Sequence, residues 1–224
     1  MRIYCICLPH RRQYAERFFN ALSPSATVHW TDPCMADQIL YNSHNFGYGY
    51  TLPMRTIRPT TKYSFVASNY NAKKTKLACS ISHRNALNAL LASDDDACII
   101  MEDDNEMPSE EQKHDFEYWL SWLHNHTHLF NLVNLSPCFS GKNVHSGIHD
   151  NLYIASGYCM NCYCITRKGA LELLDKTLTR KVHTLDMHIP AITRAFELHP
   201  RLLAQNHEAS SLGNFASPPE FKFF

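Results

Sequence analysis

The sequence predicts an α/β protein with a mostly parallel central sheet. Short apolar runs typical of buried strands alternate along the chain with stretches in which apolar residues recur every three or four positions. The chain has 224 residues, of which 45% are hydrophobic, enough for one ordinary domain with a sizeable core. We therefore expect a single domain over residues 1–216, followed by a loose tail at 217–224.

The first third of the chain is predicted to begin as strand, helix, strand. Residues 2–8 form a β-rich run that ends before Pro9, and residues 27–30 form a second short strand. Between them, apolar residues recur at helical spacing over residues 12–22. Residues 41–72 are rich in Tyr, Asn, Thr and Pro without a clear period, which predicts a long loop.

The rest of the chain continues the alternation. The clearest helix is residues 76–92, and the buried strand at 97–101 runs directly into Glu102-Asp103-Asp104. The remaining predicted elements are a helix at 115–123, a strand at 130–135, strands at 153–155 and 162–165 on either side of a short turn, and helices at 167–178 and 186–196.

Composition excludes several classes of protein. Lys and Arg together number 21, as do Asp and Glu, so the formal charge is zero and the footprint of a general nucleic-acid binder is absent. The longest apolar runs span only a few residues, so we expect no transmembrane helix. The first residues lack a signal-peptide core, which predicts a cytoplasmic protein; contact with the inner face of a membrane stays open.

The nine cysteines support that expectation. An odd number scattered through apolar stretches is unlike a secreted disulfide framework, so we interpret most of them as reduced, buried thiols. Cys159-Met160-Asn161-Cys162 has CxxC spacing but no second such pair, and we predict a strand there rather than a metal or redox site.

Three acids at the end of a buried strand are the strongest chemical signal. Glu102, Asp103 and Asp104 would lie at the carboxyl edge of the sheet, where open α/β sheets bind ligands. Carboxylates are the ligands that Mg²⁺ and Mn²⁺ prefer, and adjacent acids repel one another unless a cation or hydrogen-bond donors compensate. The alternative is a solvated strand end or a cap for the next helix.

The same region resembles a known family. Residues 77–87 (Leu-Ala-Cys-Ser-Ile-Ser-His-Arg-Asn-Ala-Leu), followed by the strand that ends in Glu-Asp-Asp, are similar to the hallmark of the family 25 glycosyltransferases. These enzymes include bacterial lipopolysaccharide β-galactosyltransferases and collagen galactosyltransferases. Further stretches that resemble the family occur in the same order at residues 6–12, 156–170, 184–186 and 202–205.

The resemblance implies a GT-A fold, a metal ion (Mn²⁺ or Mg²⁺), a UDP-sugar donor and inversion at the anomeric carbon. It implies Asp104 as a direct metal ligand, Glu102 in the ribose or metal shell, and His207 as a further metal ligand. Asp103 would serve the donor sugar or a structural hydrogen bond. Three more residues are expected to contact the donor: Ser82, His83 and Arg12.

An inverting transfer needs a base within reach of the acceptor hydroxyl, and Asp186 is the candidate because it matches the family's later Asp. Its alternative role is to cap a helix. The predicted function is transfer of a hexose, with galactose favoured, from a UDP-sugar to a glycan acceptor that is free, lipid-linked or protein-linked.

Two other functions stay open. Lys74-Thr75-Lys76 stands where the family has Gly-Glu, so one alternative is a sugar-nucleotide or glycan-binding module of the same fold that has weak turnover or none. The other is a metal-dependent phosphohydrolase or nuclease built on the acidic strand end.

Overall fold

A seven-stranded mixed sheet forms the centre of the protein. The structure, a computed structural model, describes residues 1–35, 50–51, 58–59, 70–138, 144–156, 159–179 and 185–206. The elements follow in chain order: β1 (Arg2–Ile6), a 3-10 turn (Pro9–Arg11), α1 (Arg12–Leu22), β2 (Val28–Thr31), β3 (Tyr50–Thr51), β4 (Arg58–Pro59), α2 (Tyr70–Ala92), β5 (Ala97–Glu102), α3 (Glu110–Asn125), β6 (Leu132–Asn134), β7 (Leu152–Ile154), β8 (Cys162–Thr166), α4 (Arg167–Thr179), a 3-10 helix (Leu185–Ala191) and β9 (Ala195–Leu198).

The strand order in the sheet is β2-β1-β5-β8-β6-β9-β7, and β3 pairs with β4 separately. The pairs β1–β2, β1–β5 and β6–β9 are parallel, whereas β8 and β7 run antiparallel to their neighbours. Five strands therefore point one way and two the other, which confirms an α/β fold whose sheet is mostly parallel. The predicted strands at 153–155 and 162–165 do form, but β6 and β9 separate them, so they are not a hairpin.

Helices cover both faces of the sheet. Because side chains alternate along a strand, Ile3, Cys5 and Met101 pack on one face, beneath apolar residues of α1 and α3. Tyr4 and Ile100 pack on the other face, with apolar residues of α2, α4 and the 3-10 helix. The result is a three-layer arrangement in which both cores are built on the same strands.

Several predicted boundaries were wrong. The expected helix at 186–196 is a 3-10 helix that ends at Ala191, followed by the buried strand β9, which the sequence analysis missed. Pro190 lacks an amide hydrogen, and Arg194 has a φ of 54°, so neither favours a continuous α-helix. The α3 helix begins at Glu110, five residues before its predicted start, and α2 begins at Tyr70, inside the predicted loop.

Most of the predicted 41–72 loop lies outside the described residues, as does the tail at 217–224. In the part of the chain that the structure describes, no helix has both the length and the hydropathy needed to cross a bilayer.

Candidate functional site at the carboxyl edge of the sheet

The carboxyl ends of β1 and β5 meet at the same edge of the sheet. The chain leaves β1 toward β2 on one side, and it leaves β5 toward β6 on the other side. Such a point, where neighbouring connections diverge, leaves a crevice in which open α/β sheets bind ligands. The antiparallel strand β8 begins at this edge, and Glu102 donates its backbone N–H to the carbonyl of Asn161 at 2.8 Å.

Asp103 connects the ends of these two strands. Its Oδ2 accepts a hydrogen bond from the backbone N–H of Leu8 at 2.6 Å, and its Oδ1 accepts one from Arg11 Nη1 at 3.0 Å. Both side chains of the ion pair are largely buried. Of the two roles expected for Asp103, the structure therefore places its carboxylate in structural hydrogen bonds.

Asp104 has a different environment. Its side chain is only 3% exposed, and its Oδ2 accepts a hydrogen bond from Gln205 Nε2 at 2.9 Å. Its buried Oδ1 has no hydrogen-bond partner among the described residues. Burial and the negative charge of Glu102 raise the pKa of Asp104 to about 7.

Glu102 belongs to a second group of side chains. Its Oε1 lies 2.8 Å from His83 Nε2 and 3.7 Å from Cys79 Sγ. On the other side of the imidazole, His83 Nδ1 lies 3.1 Å from the hydroxyl of Tyr163, which is fully buried in β8. The structure thus brings the predicted residue His83 to the acidic strand end, where its imidazole contacts a carboxylate.

The Cys79 thiol was not among the predicted site residues. Cys79 and His83 are four positions apart on α2, so they lie on one face of the helix, and the sequence contained this signal. Burial and the nearby charges of Glu102, Asp186 and Asp104 raise the pKa of the Cys79 thiol well above its usual value.

Asp186 lies in the 3-10 helix, and its Oδ2 accepts a hydrogen bond from the backbone N–H of Cys159 at 3.2 Å. Cys159 in turn forms a disulfide with Cys138, with a Cα–Cα distance of 5.6 Å. The other seven cysteines form no disulfide, as expected for most of them. The Cys138–Cys159 bond was not expected, and because of it Cys159 and Cys162 do not act as a CxxC pair. Cys162 is instead the buried first residue of β8.

Two predicted donor contacts have other partners. Arg12 lies against the ring of Trp30, 3.4 Å from its centroid, and pairs with Glu16 at 2.9 Å. Arg11 reaches the acidic loop instead, because it ends the 3-10 turn whereas Arg12 begins α1. Arg11 and not Arg12 therefore contacts Asp103, and a donor contact of Arg12 stays a prediction.

The side chain of Ser82 also forms hydrogen bonds with other groups of the protein. Its buried hydroxyl donates to the carbonyl of Ala78 and accepts from the backbone N–H of Cys34, both at 2.8 Å. None of its hydrogen bonds in the described part of the protein is to the acids. The predicted metal ligand His207 lies outside the described residues.

Amide side chains that the sequence analysis missed support the loop after β5. Asn105 donates to the carbonyl of Glu102 at 2.8 Å and accepts from Asn161 Nδ2 at 2.9 Å. The hydroxyl of Tyr14 donates to the carbonyl of Asn105 at 2.7 Å, and Gln205 forms a β-bridge with Asn105. These contacts fix the backbone on which Asp104 is presented.

The residues present fit a hard divalent cation. A buried carboxylate oxygen without a partner is costly unless a cation or a donor reaches it, and carboxylate oxygens are what Mn²⁺ and Mg²⁺ select. The neighbouring charge of Glu102 adds to the attraction. Asp104 and Glu102 would hold such an ion.

Comparison with protein-family models and with curated proteins finds no relative of this chain. No model of a protein family matches the chain, and a search of curated proteins finds no match. The resemblance to the family 25 glycosyltransferases therefore depends on the sequence motifs alone.

Proposed function

We propose that this protein is an inverting, metal-dependent glycosyltransferase with a GT-A-type fold. It would transfer a hexose, with galactose favoured, from a UDP-sugar to a free, lipid-linked or protein-linked glycan. The sequence motifs support the chemical class, and the divergence of the chain connections at the ends of β1 and β5 supports a donor site at that edge. A cytoplasmic location is part of the proposal.

The observation that carries the proposal is the state of Asp104. Its Oδ1 is buried without a hydrogen-bond partner in the described part of the protein, on a loop held by at least three hydrogen bonds from surrounding residues and one within the loop. A fixed carboxylate oxygen without a hydrogen bond lowers the free energy of unfolding, and it is available to bind a cation. This combination favours a metal-dependent function over a solvated strand end.

We assign each residue of the site a role that follows from its chemistry. Asp104 and Glu102 would hold the divalent cation, and His83 with Tyr163 fixes the orientation of the Glu102 carboxylate. A cation held there would supply neutralisation of the charge on the leaving diphosphate. Asp186 accepts the proton of the acceptor hydroxyl at its carboxylate, while one of its oxygens keeps the hydrogen bond from Cys159.

The test is release of UDP from individual UDP-sugars in the presence of Mn²⁺, with and without glycan acceptors. We expect release from one sugar, with loss of that activity in Asp104→Asn. The exposed acid Asp94 provides a matched control, since Asp94→Asn removes the same charge outside the site. Indifference to every nucleotide-sugar would reject the transferase.

Other results identify the alternatives. Mn²⁺-dependent UDP binding without turnover would indicate a sugar-nucleotide-binding module. Hydrolysis of simple phosphate esters, lost in Asp104→Asn, would indicate a phosphohydrolase.

A further inference from the structure

Cys79, His83 and Glu102 place a sulfur, a nitrogen and an oxygen atom close together. All three atoms lie within 4.8 Å of one another, with two residues from α2 and one from the end of β5. We propose that these three side chains form a binding site for a thiophilic divalent cation such as Zn²⁺. The site shares Glu102 with the carboxylate site proposed at Asp104 but adds a sulfur and a nitrogen ligand, and it does not depend on the proposed transferase activity.

The spacing of the atoms is close to that around a tetrahedral metal. Zinc binds Cys sulfur at about 2.3 Å and His nitrogen or carboxylate oxygen at about 2.0–2.2 Å, so tetrahedral ligands lie about 3.3–3.8 Å apart. The Cys79 Sγ to Glu102 Oε1 distance of 3.7 Å is already in that range. The His83 Nε2 to Glu102 Oε1 distance of 2.8 Å needs to open by about half an ångström.

Tyr163 supplies the outer contact that metal-binding histidines have. When Nε2 of His83 binds a metal, the proton of the neutral ring lies on Nδ1. The Tyr163 hydroxyl, 3.1 Å from Nδ1, can accept that proton as a hydrogen bond. Such a partner fixes the ring orientation and the nitrogen that faces the metal.

The site is also accessible to solvent, and its three protein ligands leave one coordination position open. Glu102 is 20% exposed and Cys79 is partly exposed, which provides a path for an ion, while His83 is buried. Three protein ligands leave the fourth position for water or another small ligand. The thiolate favours Zn²⁺ or Co²⁺ over Mn²⁺ and Mg²⁺, which select oxygen.

A competing explanation is that the four side chains form only a hydrogen-bonded network, with Tyr163 donating to His83 and His83 donating to Glu102. Co²⁺ distinguishes the two, because a cobalt–thiolate bond gives a charge-transfer absorption that a hydrogen-bonded thiol cannot give. Titration of the purified protein with Co²⁺ should produce this absorption, saturating at one equivalent, and Zn²⁺ should abolish it by displacement.

Variants assign the signal to its residues. Cys79→Ser should remove the absorption and weaken Zn²⁺ binding at least about tenfold. Cys34→Ser is the matched control, because Cys34 is the other partly exposed cysteine outside the disulfide, and it should behave as the parent. Asp104→Asn should keep the cobalt–thiolate absorption while it weakens Mn²⁺ binding, which separates this site from the proposed catalytic site.

Absence of the absorption from the parent protein would overturn the proposal, as would its persistence in Cys79→Ser. Should Cys79→Ser fail to fold, Glu102→Gln provides the second test, since loss of one ligand should lower Co²⁺ affinity at least about tenfold. Unchanged affinity in Glu102→Gln would equally reject the site.

Discussion

Asp103 and Asp104 are adjacent in the chain, yet their carboxylates have different partners. Both oxygens of Asp103 accept hydrogen bonds from residues near the end of β1. Asp104 has one buried oxygen without a hydrogen-bond partner in the described part of the protein. The difference follows from the loop after β5, where consecutive side chains point to different surroundings. Asp103 faces Leu8 and Arg11, and Asp104 faces Gln205. One acid therefore stabilises the fold and the other is available for a ligand.

Replacing Asp103 should destabilise the protein. In Asp103→Asn, one accepting oxygen becomes an NH₂ donor that faces either the Leu8 N–H or the Arg11 guanidinium. Leaving such buried groups unsatisfied costs about 1–3 kcal/mol of unfolding free energy. Urea denaturation measures this loss, and Asp94→Asn, an exposed change of the same kind, should have almost no effect. Parental stability of Asp103→Asn would show that the connection between the strand ends contributes little.

Replacing Asp104 should instead stabilise the folded protein in the absence of cations. Its pKa of about 7 lies above the unfolded value of about 3.9, so between those pH values the native state keeps a proton that the unfolded state has released. The parent therefore loses stability as pH rises from about 4 to about 7, and the penalty is constant above that. Asp104→Asn lacks this penalty, so its advantage over the parent should be about 2–3 kcal/mol larger at pH 8 than at pH 5.

The measurement is urea denaturation at both pH values with a chelator present. Adding Mn²⁺ at pH 8 should stabilise the parent and not Asp104→Asn, because a cation that binds only the native state shifts the unfolding equilibrium. An advantage of Asp104→Asn that does not change with pH would contradict the raised pKa of Asp104.

The alternation of strands and helices was predictable because each element has a strong local pattern. The early start of α3 was also present in the sequence: Ser109 and Gln112 form a capping box, with Ser109 Oγ accepting from Gln112 N–H. By contrast, β9 was not predictable from a window around Pro190. Its strand state depends on pairing with β6 and β7, which are distant in sequence.

The acidic strand end was predictable because three acids after a buried strand are unusual. The partners of those acids were not. Arg11 and Arg12 look alike in the sequence, and only the end of the 3-10 turn decides which one reaches Asp103. The Tyr163 contact with His83 requires β8 to lie beside β5, an antiparallel insertion that no local pattern indicates.

Gly169 offers a test of how α4 packs on the sheet. A Cβ at this position would lie 2.1 Å from the carbonyl oxygen of Asn131, the residue before β6, and the backbone cannot shift there without a large energetic cost. We expect Gly169→Ala to lower the unfolding free energy by about 2 kcal/mol or more. Thermal denaturation measures this, with Lys168→Ala, an exposed neighbour on the same helix, as control. Equal melting temperatures for the two variants would show that α4 does not approach Asn131 this closely.

The last prediction concerns Asp186 and separates a base from a structural acid. Its Oδ2 accepts the N–H of Cys159, which anchors the 3-10 helix to the segment before β8. Asp186→Asn keeps an oxygen for that hydrogen bond, but an amide cannot take the acceptor proton at neutral pH. A general base acts in the transition state and contributes about 10² to 10⁴ in rate. We therefore expect Asp186→Asn to melt as the parent does, to bind UDP with Mn²⁺ as the parent does, and to transfer sugar at least about 10²-fold more slowly.

These three measurements give different patterns for the different roles. Asp186→Ala removes both functions, so a lower melting temperature in Asp186→Ala but not in Asp186→Asn would assign the structural part to the Cys159 hydrogen bond. Weakened donor binding in Asp186→Asn would place Asp186 in the donor site instead. If Asp186→Asn turns over at nearly the parental rate, the contribution of this residue is structural, and another group must accept the proton.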